Sequence, residues 1–349
     1  MDYQKAGVDV KAGDSASDAF YRASKTTWQF RKGHGRVESN SSDFSGLRYI
    51  DVSNLKNTVM GDNYDGIGTK AEIAERLKKF DTLGFDLLAM VCDDAVIRGA
   101  EPVAVGNVLD VSRVEPKPMA QLASGLERAA KMANVSVING EIAELGKKVG
   151  GFGAFRLNWA ASCIWFAKKD RLLDGLQVKA GQSIITLKEE GFRSNGLSLA
   201  RKIMEHQSGG QWHEEHKRLA SDILHPSKIY TRFAVSLFGG LDDKPIAHVS
   251  AMAHITGGGI YGKLGRALKP SGLGAELTDL YPPCKAMKVL MELGHVKEDE
   301  AYKTWNMGNG MMIITDQPDA VLKQAKFLNL EAKKAGTVKT EPGIHIVDA

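Results

Sequence analysis

The chain has 349 residues, 43% of them apolar and 25% charged, with a formal charge of +4. These are ordinary globular values, which exclude disordered, fibrous and disulfide-stapled classes, and the length predicts two domains, each able to bury its own core. Lys and Arg are interleaved with Asp and Glu without a basic stripe, so nucleic acid is not an expected partner and small anions are.

Three cysteines, Cys92, Cys163 and Cys284, lack metal-ligand spacing, which predicts neither a zinc site nor disulfides and fits a reducing cytoplasm. The opening Met1-Asp2-Tyr3-Gln4-Lys5 lacks the order of a signal peptide, and no apolar run reaches the roughly 18 residues of a membrane span. A soluble, unexported protein is expected.

In chain order, residues 1–57 read as an arm with little periodicity apart from a helix over 15–28. Asn57-Thr58-Val59-Met60 then enters a turn-rich segment, Gly61-Asp62-Asn63-Tyr64-Asp65-Gly66-Ile67-Gly68-Thr69-Lys70. Its glycines can bring backbone amides to phosphate oxygens, Asp65 can hold magnesium and Lys70 can neutralise phosphate. The segment is either a phosphate loop or a surface turn, and its spacing is not that of a Walker A loop.

Helical spacing follows over 69–80 and 84–98. The charges of the first of these, Glu72, Glu75, Arg76, Lys78 and Lys79, read as a solvated face. Within the second, Cys92-Asp93-Asp94 sits in an apolar pattern. Adjacent carboxylates there carry a repulsion that a divalent cation removes, magnesium being the expected ion, against the alternative of a solvated kink.

A strand is expected over 103–110, a helix over 118–134 and a short strand at Val135-Ser136-Val137-Ile138. The following Gly140-Glu141 is read as a loop in which Glu141 is a metal ligand, a base or a helix-start carboxylate. A strand over 157–167 closes a first domain, 58–169. Residues 170–181 read as a linker, and 182–349 as a second series of strands and helices.

In that second series, Gly191-Phe192-Arg193-Ser194-Asn195-Gly196 and His254-Ile255-Thr256-Gly257-Gly258-Gly259 each lie between a strand and a helix. Ser194, Asn195, Thr256, Gly257 and Gly258 can cradle an anion, or the glycines can serve backbone geometry alone. His254 is either an acid or phosphate donor, or a hydrogen-bonded core histidine. No Ser, His and Asp arrangement with triad spacing occurs.

Taken in order, these segments resemble the phosphoribosylformylglycinamidine cyclo-ligase family over most of the chain. The resemblance is carried by Tyr3-Gln4-Lys5-Ala6-Gly7-Val8-Asp9, Asp65-Gly66-Ile67-Gly68-Thr69-Lys70, Asp81 through Asp94 to Pro102, Gly140-Glu141, Ser194-Asn195-Gly196-Leu197-Ser198-Leu199 and Ala253 to Gly259. It implies a two-domain α+β fold, with amino-terminal domains pairing in a homodimer around a β-barrel-like core and a carboxy-terminal domain of α/β sandwich type. It implies ATP as co-substrate with Mg2+, and a small ribonucleotide closed to an imidazole. By the same resemblance, Asp65 and Asp94 are metal candidates, and Asp65, Gly66, Gly68, Thr69, Lys70, Ser194, Asn195, Thr256, Gly257 and Gly258 bind nucleotide or phosphate. Glu141 and His254 are the catalytic candidates.

The sequence departs from the family at Asp43 to Tyr49, where a glycine-rich loop is usual, at Arg193 in place of His, at Ile142 to Gly146, at Asn158 and at Met307 to Met311. Among related ATP-using enzymes, selenophosphate synthetase needs an amino-terminal Cys, and the hydrogenase-maturation relative a terminal one. Neither is present; another ATP-dependent small-molecule activating enzyme of the same superfamily stays open as an alternative, thiamine-monophosphate kinase being one, although it lacks the opening motif and the Glu141 region found here. A catalytically silent dimeric homologue is the alternative of a different class.

Overall fold

A computed structural model describes residues 10–38 and 48–347. The opening motif Tyr3 to Asp9 and the altered stretch Asp43 to Leu47 lie outside the described residues.

The first unit runs α1 (Val10–Thr27), β1 (Val37–Glu38), β2 (Tyr49–Ile50), β3 (Thr58–Gly66), α2 (Lys70–Leu77), α3 (Leu83–Val96), β4 (Glu101–Val111), α4 (Pro116–Ala133), β5 (Ser136–Glu144) and β6 (Leu157–Lys168). Four of its strands make one sheet in the order β3-β6-β4-β5. The β4–β5 pair is parallel and the other two pairs are antiparallel.

Helix signals in the sequence set the edges. Pro116 opens α4, where the missing N–H costs nothing, and Asn134 closes it in the left-handed conformation. The α3 helix is apolar nearly all round, so it must be buried on all sides. It packs on β3, β6 and α4, and against a helix of the second unit. Where α3 crosses α4, a Cβ on Gly84 would overlap the Gly125 backbone, so glycine is what permits the approach.

Three expectations change here. First, the described part of 1–57 is no appendage: Ala16, Phe20 and Ala23 of α1 join the core, and the Trp28 indole donates to the Val137 carbonyl at 2.8 Å. Second, the expected solvated face of the helix after Thr69 is largely covered, with Glu75 and Arg76 buried. Glu75 accepts from the Phe152 and Leu157 amides. Third, the turn-rich segment is strand through Gly66.

The second unit continues β7 (Ser183–Lys188), α5 (Leu197–Ser208), α6 (Trp212–Glu215), α7 (Lys217–Ile223), α8 (Thr231–Phe238), β8 (Ala251–His254), α9 (Gly259–Leu268), β9 (Gly274–Leu277), α10 (Lys285–Leu293), α11 (Glu298–Thr304), β10 (Asn309–Thr315), α12 (Pro318–Phe327), β11 (Ala332–Lys339) and β12 (Gly343–Ile346). Its six-stranded sheet has the order β12-β9-β11-β7-β10-β8. Alternation along β7 and β10 divides the core: Ile185, Leu187, Met311 and Ile313 face α8 and α12, and Ile184, Met312 and Ile314 face the opposite side.

Candidate functional site at the junction of the two units

The units meet along α3 and the loops after β7 and β8. The turn after β3 rests on the loop after β7: a Cβ on Gly68 would meet the Ser194 carbonyl oxygen at 3.5 Å, and the Thr69 and Ser198 hydroxyls are 3.5 Å apart. The loop after β8 adjoins the same place, with a Cβ on Gly257 meeting the Asn195 amide nitrogen at 3.4 Å. Gly68, Thr69, Ser194, Asn195, Thr256, Gly257 and Gly258 are thereby brought together. Gly257 and Gly258 are exposed at the start of α9. At Gly259, φ is +58° and a Cβ would overlap the Tyr302 carbonyl oxygen, so this position requires glycine.

Beside this cradle stand Asp65, at the end of β3, and Asp94, on α3. His254 at the end of β8 is buried, and its Nδ1 lies 2.7 Å from Asp94 Oδ1. An ionised Asp94 accepts, so Nδ1 carries the proton and Nε2 is left as an acceptor. That Nε2 is buried without a partner among the described residues, as are Ser194 Oγ and Asn195 Oδ1.

Burial pulls the His254 pKa below its ordinary value and the Arg193 charge adds to this, which keeps the ring neutral near pH 7. Burial alone would raise Asp94, but the His254 hydrogen bond and nearby Lys263 and Arg98 outweigh it and hold the carboxyl below its usual range. Asp65 is pushed up, first by burial and then, against a Gly66 amide hydrogen bond, by the Asp94 charge. A cation bound between the two carboxylates would relieve that repulsion.

The paired-carboxylate reading of Asp93-Asp94 does not hold. Asp93 points the other way, fully buried, and accepts from Arg193 Nη2 at 2.8 Å, from Thr231 Oγ1 at 2.8 Å and from the Tyr230 amide. Arg193 in turn donates to Glu189 at 2.7 Å and to the Lys228 carbonyl at 2.9 Å. Burial would favour losing its proton, but Glu189 and Asp93 outweigh this and keep the guanidinium charged.

Lys70 is a second correction. Its ammonium is fully buried, 2.6 Å from Asp86 Oδ1 and 2.6 Å from the His225 carbonyl, so it faces away from the cradle as a structural ion pair. Gly66 is also part of the strand ladder, opposite Ala160, instead of a loop glycine.

Glu141 is a third. The short strand expected to end at Ile138 continues through Glu144, so Glu141 is a strand residue opposite Val108. Asp65 and Glu141 both border a hollow of 480 Å³, with β6 and β4 between their strands. That is about 14 Å at the usual strand spacing. The register, however, sets Glu141 with the exposed Val108 on the open face of the sheet and Asp65 with the buried Ala161 and Asn107 on the covered one. Among the described residues no group of three or more His, Cys, Asp or Glu side chains is arranged to hold a metal ion.

Reading the residues left Arg98, Lys263 and Arg266 unremarked, although they line a 180 Å³ hollow with Asp94 and His254. The signal was there: Lys263 and Arg266 are three apart on one helix, and so share a face.

Two sheet-and-helix units, with glycine loops and a carboxylate–imidazole pair at their junction, define a two-domain α+β protein. Residues 52–154 match a family model described as AIR synthase related protein, N-terminal domain, and residues 179–349 match AIR synthase related protein, C-terminal domain. The chain belongs to this AIR synthase related family.

It is 33% identical over 341 residues to the phosphoribosylformylglycinamidine cyclo-ligase of Methanocaldococcus jannaschii, covering 96% of this chain and 91% of the relative. Similarity to the enzyme of the same name from Pyrococcus furiosus is 30% over 346 residues, covering 99% and 97%. Among solved structures, thiamine-monophosphate kinase from Stenotrophomonas maltophilia superposes with a TM-score of 0.63 at 15% identity, covering 93% of this chain and 94% of that one. E. coli HypE, a hydrogenase maturation protein, does so at 0.61 and 15%, covering 95% and 93%. These two likenesses speak for the fold alone.

Proposed function

We propose that this chain is an ATP-dependent cyclo-ligase that closes formylglycinamidine ribonucleotide to aminoimidazole ribonucleotide, a step of purine biosynthesis. ATP phosphorylates the formamide oxygen, a substrate nitrogen attacks the activated carbon, and the C–O bond breaks to release phosphate and a proton. The observation that carries this reading is near-full-length identity of 33% to a cyclo-ligase, in a chain that keeps Asp65, Asp94, His254 and three loops at one junction.

In this reading the exposed Gly257 and Gly258 amides, at the positive end of α9, hold phosphate oxygens, with Ser194 and Asn195 beside them. Thr69, Gly68 and Thr256 shape the same cradle. Asp65 and Asp94 would hold Mg2+, which characteristically takes one or two protein carboxylates together with phosphate oxygens and supplies charge neutralisation when bound. His254 Nε2, unprotonated and desolvated, is the acceptor for the proton lost in ring closure, and Asp94 fixes its tautomer. Glu141 serves the ribonucleotide end of the 480 Å³ hollow.

Met60, Tyr64 and Val108 are exposed on the open sheet face, and a second copy of the chain is the partner proposed for it. A homodimer built on a shared barrel is what sedimentation should find, and Tyr64→Glu should shift it to monomer. Among the described residues no helix is long and apolar enough to cross a membrane. A cytoplasmic location is part of the proposal and fits three unpaired cysteines.

The test is to incubate purified protein with the ribonucleotide, Mg2+ and ATP, following ADP and aminoimidazole together. Equal amounts of both are expected. ADP without imidazole would assign another substrate, and failure to bind ATP would leave a silent homologue.

A further inference from the structure

The hollow beside Asp94 gathers three cations, Arg98, Lys263 and Arg266, against two carboxylates on its wall, Asp94 and Asp174. Arg98 follows the end of α3 and donates to the Asp94 peptide carbonyl at 2.5 Å, leaving the rest of its guanidinium uncommitted to that bond. Lys263 comes from the middle of α9 and Arg266 from its last turn. Lys263 is only half-buried, yet among the described residues its ammonium has no hydrogen bond or ion pair. The contrast with the family's signature lysine is direct, because Lys70 is locked against Asp86.

We propose that Arg98, Lys263 and Arg266 form a subsite for a phosphoryl group, with Lys263 as its principal contact. The three cations outnumber Asp94 and Asp174, and among the described residues none of them forms an ion pair with either, so a phosphate dianion entering the hollow gains charge-assisted hydrogen bonds and offsets the excess positive charge. The exposed amides of Gly257 and Gly258 open one turn away on the same helix, so the subsite continues the cradle. Lys263 also acts on both Asp65 and Asp94, favouring their ionised forms. It thus supplies beside the carboxylate pair the positive charge that Lys70 cannot.

The inference rests on the proposed reaction for its two phosphoryl sources: the nucleotide's phosphates and the ribonucleotide's 5′-phosphate. Binding of ADP and of ribose 5-phosphate to the full chain, measured by titration calorimetry, tests it without turnover. Lys263→Ala is expected to weaken one of them by about tenfold or more, Lys263→Arg to restore most of it, and the unfolding midpoint to stay unchanged. Loss confined to ADP assigns the nucleotide, and loss confined to ribose 5-phosphate assigns the substrate. Steady-state KM for ATP or the ribonucleotide should move in the same arm. Equal binding by parent and Lys263→Ala, or no binding of either ligand by the parent, overturns the subsite. A parent that binds and responds to Lys263→Ala but makes no imidazole keeps the subsite and overturns the reaction.

Discussion

Along the seam between the two units, Lys70, Asp86, Asp93, Glu189 and Arg193 are buried, and each has an oppositely charged partner within 2.8 Å. On the rim beside it, Asp65, Asp94, Lys263 and Arg266 are partly open, and among the described residues the two cations form no ion pair. Asp93 and Asp94 are consecutive, yet the rotation of about 100° between neighbours on a helix sends them to opposite regimes. A charge that leaves water must carry its partner with it, whereas a charge left at the edge can wait for a ligand.

The sharpest way to break this contrast is to remove one partner from the seam. Arg193→Ala and Lys70→Ala each strand a buried carboxylate, and urea unfolding should register a loss of about 3–5 kcal/mol. Arg193→Lys should recover only part, since one ammonium cannot serve Asp93 and Glu189 as a planar fork does. Parent-like stability for Arg193→Ala would mean that the seam is wetter than its burial indicates.

Next in size is a rim change. Asp94→Asn should lower kcat by about a hundredfold or more while unfolding stays near that of the parent, because a partly exposed acceptor is lost and no buried charge is stranded. Undiminished turnover under saturating Mg2+ and ATP would remove Asp94 from the site.

A smaller effect belongs to pH. His213, buried, sits 3.3 Å from Arg76 Nη1, and burial followed by the Arg76 charge depresses its pKa. Its neutral form is favoured by folding, so the stabilising contribution is complete above the ordinary pKa of 6.5 and is lost as pH falls through the depressed value. Unfolding midpoints between pH 7.5 and 5 should decline less in His213→Gln than in the parent. Least of all, Lys263→Ala should change folding stability by no more than about 0.5 kcal/mol. A larger loss would make Lys263 part of the seam.

How much of this could be read beforehand follows from the range of each interaction. The helices α3 and α4 were legible because their apolar spacing, glycines and prolines act within a few residues. The strand β3 was not: Gly61, Asp62, Asn63, Asp65 and Gly66 have turn chemistry, and the ladder to β6, a hundred residues on, overrides it. Asp65, Asp94 and His254 were legible as a set, although reading along the chain could not separate Asp93 from Asp94. Lys70 misled because its partner Asp86 lies on another helix, and Arg193 was visible as a departure whose partners, 4 and 100 residues away, were not.

Arg193 draws one carboxylate from each unit, and this bears on how far the chain can be taken apart. A fragment cut between 169 and 182 would carry Asp93 with no cation, and its complement would hold Arg193 with Glu189 alone. The polypeptide path has a clear joint, but the ionic balance has none. The two units should therefore melt in a single cooperative transition, and transplanting either into a homologue would succeed only if the guanidinium's far partner moves with it.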